Sequence, residues 1–107
     1  MELQITPFKN SHEYSLEIRE FEPSEGYEEF LKKFCQFTGA QFLDWYQGWW
    51  DGLGHIEMNN QKLSVYWSDF PLAISFDCDT RKQAEKLEEI AKSYFRQNSM
   101  QSIPQKN

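Results

Sequence analysis

Apolar and polar residues alternate near the start of the chain and predict a half-buried β-strand there. In EYSLEIREF, from Glu13 to Phe21, apolar side chains at every second position from Tyr14 to Ile18 face one side, and polar ones face the other. An earlier short strand over Leu3 to Phe8 has weaker support, because Pro7 interrupts it and proline cannot donate to a strand ladder.

A helical period replaces the alternation after this strand and returns near the end of the chain. The first predicted helix has Ser24 as N-cap and Gly39 as the left-handed residue that ends it. The last helix begins at Asp79 or Thr80, where Thr80 and Gln83 form a capping box. Both helices carry one apolar stripe: Tyr27, Phe30, Leu31, Phe34 and Thr38 in the first, and Ala84, Leu87, Ile90, Ala91, Tyr94 and Phe95 in the second.

The segment between the helices has no helical period and is divided by turn signals. These signals are Gln47-Gly48, Asn59-Asn60 and the stretch from Ser68 to Pro71, so four antiparallel strands are predicted. The resulting order is β-α-β-β-β-β-α, an α+β fold in two layers. One mainly antiparallel sheet of about five strands carries both helices on one face and leaves the other face polar. Residues 1–97 form a single domain, and 98–107 are predicted to be a flexible tail.

The Asn59-Asn60 turn predicts the register of the strands on either side of it. Asparagine tolerates positive φ, which a two-residue hairpin turn requires, and the register pairs Glu57 with Lys62 and Ile56 with Leu63. Extending the alternation places Gly52, Gly54 and Trp50 on the inner face, with Trp67 opposite Gly52 and packed over it. Through the Gln47-Gly48 turn, Trp45 is predicted to face Trp50, and Leu43 to face Gly52.

The outer face then collects an aromatic patch that is the first candidate site. It consists of Tyr46, Trp49 and Tyr66, with Leu53 alongside and Asp44 and Asp51 as supporting acids. Tyrosine and tryptophan are frequent anchors of binding interfaces, and an exposed apolar patch often marks one. Alternatively, a loop, the N-terminal segment or the C-terminal tail covers these rings. The register also places Asp44 opposite Asp51, an arrangement that like charges resist.

Two further candidates are ionic. Asp51, His55 and Glu57 share the outer face and offer groups for a metal or for acid–base chemistry. No second histidine is near in sequence, however, and Glu57 is already matched to Lys62, so no metal site, cofactor or catalytic residue is expected. An acidic run from Glu13 to Glu29, in which Arg19 is the only basic residue, could attract a basic surface or simply be a solvated strand and helix start.

Composition and charge narrow the function classes. The chain of 107 residues suits one domain, and its net charge of −6 disfavours nucleic acid and anionic membranes but suits a basic protein partner. The two cysteines, Cys35 and Cys78, are expected to be buried apolar residues. Neither a secretion signal nor a nucleophile motif is present, so a cytoplasmic protein that is not an enzyme is expected.

Two segments carry a resemblance to known protein groups. The helix YEEFLKKFCQFTGAQ and the block GHIEMNNQKLSVYWSDFPLAISFD, followed by an amphipathic helix, resemble short bacterial domains of unknown function. The layout is also similar to that of small acidic immunity proteins, which neutralise toxins in bacterial competition. This resemblance implies a bacterial, cytoplasmic, non-enzymatic protein.

The leading hypothesis is therefore a non-catalytic protein-binding module that is a monomer or a weak homodimer. One form of such binding is inhibition of a basic partner. The alternative is a small-molecule or sugar-binding domain that stacks its ligand on the same aromatic side chains. An enzyme that uses His55 is the third reading.

Overall fold

The computed structural model describes residues 1–7 and 14–102, which form six strands and two helices. The elements are β1 (Glu2–Pro7), β2 (Tyr14–Arg19), α1 (Tyr27–Thr38), β3 (Gln41–Gln47), β4 (Asp51–Met58), β5 (Gln61–Asp69), β6 (Leu72–Cys78) and α2 (Arg81–Ser102). The α+β class and the antiparallel sheet are confirmed. The sheet has six strands rather than about five, because β1 forms and gives the order β-β-α-β-β-β-β-α.

The strands lie in the order β1-β2-β6-β5-β4-β3, and every neighbouring pair is antiparallel. Strand β2 therefore lies beside the last strand of the chain, and β1 and β3 form the two edges. Leu3 and Ile5 of β1 lie opposite Ile18 and Leu16 of β2. Pro7 is the last residue of this edge strand, a position where the lost donor is tolerated, and this is why the proline does not prevent the strand.

One face of the sheet and both helices share a single apolar core. Alternate residues of β2, β4, β5 and β6 join the predicted helical stripes in one buried cluster. Helix α1 contacts β3, whereas α2 contacts β1, β2 and β6, so the two helices divide the inner face between them. Aromatic rings dominate the helix–helix contact, where Phe30 lies 5.7 Å and Phe34 5.4 Å from Tyr94 between ring centroids. The opposite face of the sheet, the outer face, carries neither helix.

Two of the three predicted helix caps are confirmed. Gly39 has φ of 80° at the end of α1, and its N–H donates to Cys35 O at 2.9 Å. At the start of α2, Gln83 N–H donates to Thr80 Oγ1 at 3.1 Å, while Gln83 Oε1 accepts from Asp79 N–H at 2.8 Å. The capping box is therefore present, with its return bond shifted by one residue.

The predicted N-cap of α1 at Ser24 is wrong. The helix begins at Tyr27, with Gly26 at the cap position, a φ of 91° and no side-chain capping bond. Tertiary contacts of Tyr27 anchor this end instead. Its hydroxyl donates to Phe21 O, and its ring lies 4.9 Å from that of Trp67.

Helix α2 reaches into the segment 98–107, for which a flexible tail is predicted. Helix α2 continues to Ser102 and so includes the first residues of the segment 98–107, of which 103–107 lie outside the described residues. No helix in the described part of the chain is both long enough and apolar enough to cross a membrane.

Candidate functional site

The hairpin of β4 and β5 has the predicted register. Asn59 and Asn60 have φ of 55° and 64°, the left-handed conformation that this two-residue turn needs. Glu57 lies opposite Lys62, and the neighbouring pairs from Met58–Gln61 to Gly54–Val65 follow as predicted. This hairpin therefore presents Leu53, His55 and Tyr66 on the outer face.

The register between β3 and β4 differs from the prediction. Trp45 lies opposite Gly54 rather than Trp50, and the turn covers Gly48 to Trp50. The ring of Trp45 lies over two glycines of β4: a Cβ added to either Gly52 or Gly54 would come within 2.6 Å of it. Trp67 does lie opposite Gly52, as expected, but Trp45 fills the space above both glycines. The turn is longer than the predicted two residues, which shifts the register, and in the observed register the ring of Trp45 packs over both glycines.

A bulge near the start of β3 gives Asp44 a different partner from the predicted one. The register shifts between Phe42, which faces Ile56, and Asp44, which faces His55. The extra residue is Leu43, so its predicted place opposite Gly52 is wrong, and Phe42 packs against the core instead. The predicted opposition of Asp44 and Asp51 is also wrong. Asp44 Oδ1 lies 2.8 Å from His55 Nδ1, so the neighbour of Asp44 is an imidazole rather than a second carboxylate.

Three outward side chains lie directly opposite one another and form what we call the aromatic row: Tyr46, Leu53 and Tyr66. Tyr46 pairs with Leu53 across β3 and β4, and Leu53 pairs with Tyr66 across β4 and β5. Their exposed fractions are 69%, 43% and 43%. Tyr66 hydroxyl donates to Asp51 Oδ2 over a long distance of 3.5 Å. The row is thus a continuous apolar strip on the open side of the sheet.

Three more exposed rings lie in two turns at one end of the sheet, and we call them the turn aromatics: Trp49, Trp50 and Phe70. Trp49 is 89%, Trp50 70% and Phe70 94% exposed. Asp69 N–H donates to Trp50 O at 2.8 Å and so joins the two turns. The inward position predicted for Trp50 is therefore wrong, because this residue lies in the turn and outside the ladder. Phe70 was not anticipated, although its position within a turn signal leaves little opportunity for burial.

The second predicted cluster does not assemble into a metal site. Asp51, His55 and Glu57 lie on the same side of β4, but Leu53 separates Asp51 from His55, so these two residues are about 13 Å apart along the strand, and His55 and Glu57 are about 7 Å apart. Across residues 1–7 and 14–102, no three His, Cys, Asp or Glu side chains are grouped so that they could hold a metal ion. His55 interacts with Asp44, and Glu57 lies opposite Lys62.

The cysteines and the acidic run have structural surroundings. Burial raises the pKa of Cys35 and of Cys78 to about 11, which keeps both thiols protonated and unreactive near neutral pH. Within the acidic run, Glu17 pairs with Arg19 at 3.1 Å, and several glutamates of the α1 region pair with nearby lysines. The run therefore does not form one continuous free acidic surface.

The chain matches no protein family, no curated protein and no solved structure. The aromatic row, the turn aromatics and the acids between them are thus interpreted from their own geometry. Tyr46, Leu53, Tyr66, Trp49, Asp44, Asp51 and His55, the predicted site residues, all lie on the outer face or in the turn that borders it.

Proposed function

We propose that this protein is a non-catalytic protein-binding module that uses the outer face of its sheet. The observation that carries the proposal is the exposed aromatic row on a face that neither helix covers. Contiguous exposed apolar side chains are uncommon on monomeric proteins away from interaction sites, and tyrosine and tryptophan bury much area at little entropic cost. The turn aromatics enlarge the apolar area available at one end of this face.

The charge of the chain favours a basic partner. The net charge is −6, and Asp44 and Asp51 lie beside the aromatic row. Complementary charge accelerates encounter and selects among partners, while the buried apolar contacts contribute most of the affinity. Inhibition of a basic protein, in the manner of the toxin-neutralising immunity proteins that the sequence resembles, is the form of binding that we favour.

Affinity capture followed by mass spectrometry tests the proposal. Wild type should retain a protein that the Tyr46→Ala/Trp49→Ala double variant loses. Phe37→Ala is the matched control, because Phe37 is also exposed, at 39%, but lies on α1. The double variant should keep its thermal midpoint within a few degrees, since both rings are already in water. Equal capture by wild type and the double variant would contradict the proposal.

Binding of a small molecule or a sugar on the same rings is the competing function. A planar sugar face could stack on Tyr46 or Tyr66, both of which are exposed. Tryptophan fluorescence with a ligand panel separates the two functions. A saturable response to a sugar, combined with no captured protein, would favour ligand binding over protein binding.

A further inference from the structure

We infer that the outer face recognises arginine side chains of its protein partner, an inference that rests on the proposed function and gives it a chemical identity. The face offers exposed phenol rings and exposed carboxylates side by side, and no Lys or Arg among the described residues contacts either. Each of these points follows from contacts of the described residues.

The rings of the aromatic row are free of other rings and of cations. Aromatic contacts between described residues all lie in the core or between the helices, and Tyr46 and Tyr66 take part in none of them. The cation–π contacts found there join Lys32 to Phe42 and Arg81 to Tyr14. Both outer tyrosines are also exposed, so their rings are accessible to a partner.

Each tyrosine of the row has a carboxylate next to it. Asp44 precedes Tyr46 by two residues on β3, so both side chains leave the same face, and the Asp44 side chain is 62% exposed. Asp51 lies diagonally across from Tyr66 and accepts a hydrogen bond from its hydroxyl. We call these pairs, Asp44 with Tyr46 and Asp51 with Tyr66, the two acid–tyrosine couples.

No Lys or Arg of these three strands contacts either couple. Lys62 is the only Lys or Arg in β3, β4 and β5, and it lies opposite Glu57, beyond the row of His55. His55 contacts one oxygen of Asp44, and the Asp44 side chain as a whole is 62% exposed. Charge complementarity therefore calls for a positive group supplied from outside.

Arginine fits the couples better than other cations. Its planar guanidinium stacks on a phenol ring and still directs N–H donors sideways to a carboxylate, whereas lysine is a compact and strongly hydrated point charge. A quaternary ammonium needs aromatic walls on several sides. Here Tyr46 and Tyr66 lie on the same open face of the sheet and are separated by Leu53, so they do not form aromatic walls around one ligand.

The separation of the couples suggests how two arginines would be spaced. Tyr46 and Tyr66 lie on β3 and β5, two strand spacings apart, which is about 10 Å. Three residues of extended chain span about the same distance. Two arginines separated by two residues can thus reach both couples from one extended segment.

Peptide titration monitored by NMR tests the inference. The probe is acetyl-Gly-Arg-Gly-Gly-Arg-Gly-amide, compared with analogues that contain lysine or the neutral isostere citrulline. The arginine peptide should shift the amide signals of the aromatic row and bind about fivefold more tightly than the lysine peptide, the ratio expected for about 1 kcal/mol of stacking. The citrulline peptide should not saturate.

Variants separate stacking from general apolar contact. Tyr46→Phe keeps a π-face and should retain the arginine preference. Tyr46→Leu and Tyr66→Leu keep an apolar strand residue without the ring and should each weaken the arginine peptide about fivefold. Phe37→Leu, on α1, is the matched control and should change nothing.

Several outcomes would overturn the inference. These are equal binding of the arginine and lysine peptides, shifts confined to the first turn of α1 around Glu28 and Glu29, unchanged binding by the leucine variants, and no binding at all. Self-association in sedimentation that Tyr46→Leu abolishes would show that a second copy covers the face. Sugars or phosphatidylcholine vesicles that displace the peptide at lower concentration would show another occupant. Partner capture that still depends on Tyr46 and Trp49, without arginine preference, would reject this inference and leave the proposed function standing.

Discussion

The packing of Trp45 over two glycines makes a sharp prediction about stability. In Gly52→Ala, the new Cβ would lie 2.6 Å from Trp45 Cζ2 and 3.0 Å from Tyr46 O. In Gly54→Ala, it would lie 2.6 Å from Trp45 Cε3 and 2.8 Å from Asp44 O. Both ring contacts are closer than real Cβ atoms allow, so the ring or the strand must move.

The size of the effect follows from the cost of overpacking. Each alanine should lower the free energy of unfolding by about 1–3 kcal/mol. A chain of this length has about 5–15 kcal/mol of stability in total, and each lost kcal/mol lowers the thermal midpoint by roughly 4–8 °C. Urea unfolding followed by far-UV circular dichroism measures the difference without relying on tryptophan emission.

A double-mutant cycle with Trp45→Val identifies the ring as the cause. Once the indole is removed, Gly52→Ala should cost less than about 0.5 kcal/mol, because only the milder contact with Tyr46 O remains. Gly54→Ala should retain about 1 kcal/mol of its cost, because its Cβ still meets a backbone oxygen. If either alanine costs the same with and without the indole, the ring is not the obstacle and the packing described for Trp45 is wrong.

Two other predictions concern the hairpin turn and the buried thiols. Asn60 has φ of 64°, a conformation that glycine adopts freely and valine does not. Asn60→Gly should therefore raise the free energy of unfolding by up to about 1 kcal/mol, and Asn60→Val should lower it by about 1–2 kcal/mol. Urea unfolding measures both changes, and a stabilising valine would contradict the turn geometry. Stability should fall as pH rises from about 9 to about 11, because burial raises the pKa of Cys35 and Cys78 from 9.0 to about 11 and the unfolded chain loses those protons first. Cys35→Ala should reduce that slope, and an unchanged slope would assign the pH dependence to other groups.

The parts of the fold that could be predicted are those where several local signals agree. At Asn59-Asn60, turn chemistry, a charge pair and an apolar pair all favour one register, and that register is found. The helical stripes were equally clear, because apolar period and burial coincide. Strand β1 had weaker support, because the segment is short and contains a proline. The strand forms because Pro7 lies at its end, where an edge strand tolerates a proline.

The register of β3 could not be predicted, because its causes are not local. A single glycine at Gly48 did not show that Trp49 and Trp50 also belong to the turn, and no sequence rule placed the bulge at Leu43. The residue opposite Trp45 is Gly54 of β4, four residues further along the chain than the expected Trp50. Because four is even, the shift kept the predicted faces of the paired residues while moving Trp50 out of the ladder.

The aromatic row and the turn aromatics are the part of the sequence that folding leaves unexplained. Inside the protein, rings such as Phe30, Phe34 and Tyr94 contact several others and leave water on folding. The exposed rings make no ring contact among described residues, so they gain little of the roughly 25 cal/mol per Å² that apolar burial supplies. Single exposed apolar residues are common on protein surfaces and need no cause. Three that align across three neighbouring strands, beside two carboxylates and below a turn with two tryptophans, form a surface whose apolar area contributes free energy only when a partner covers it.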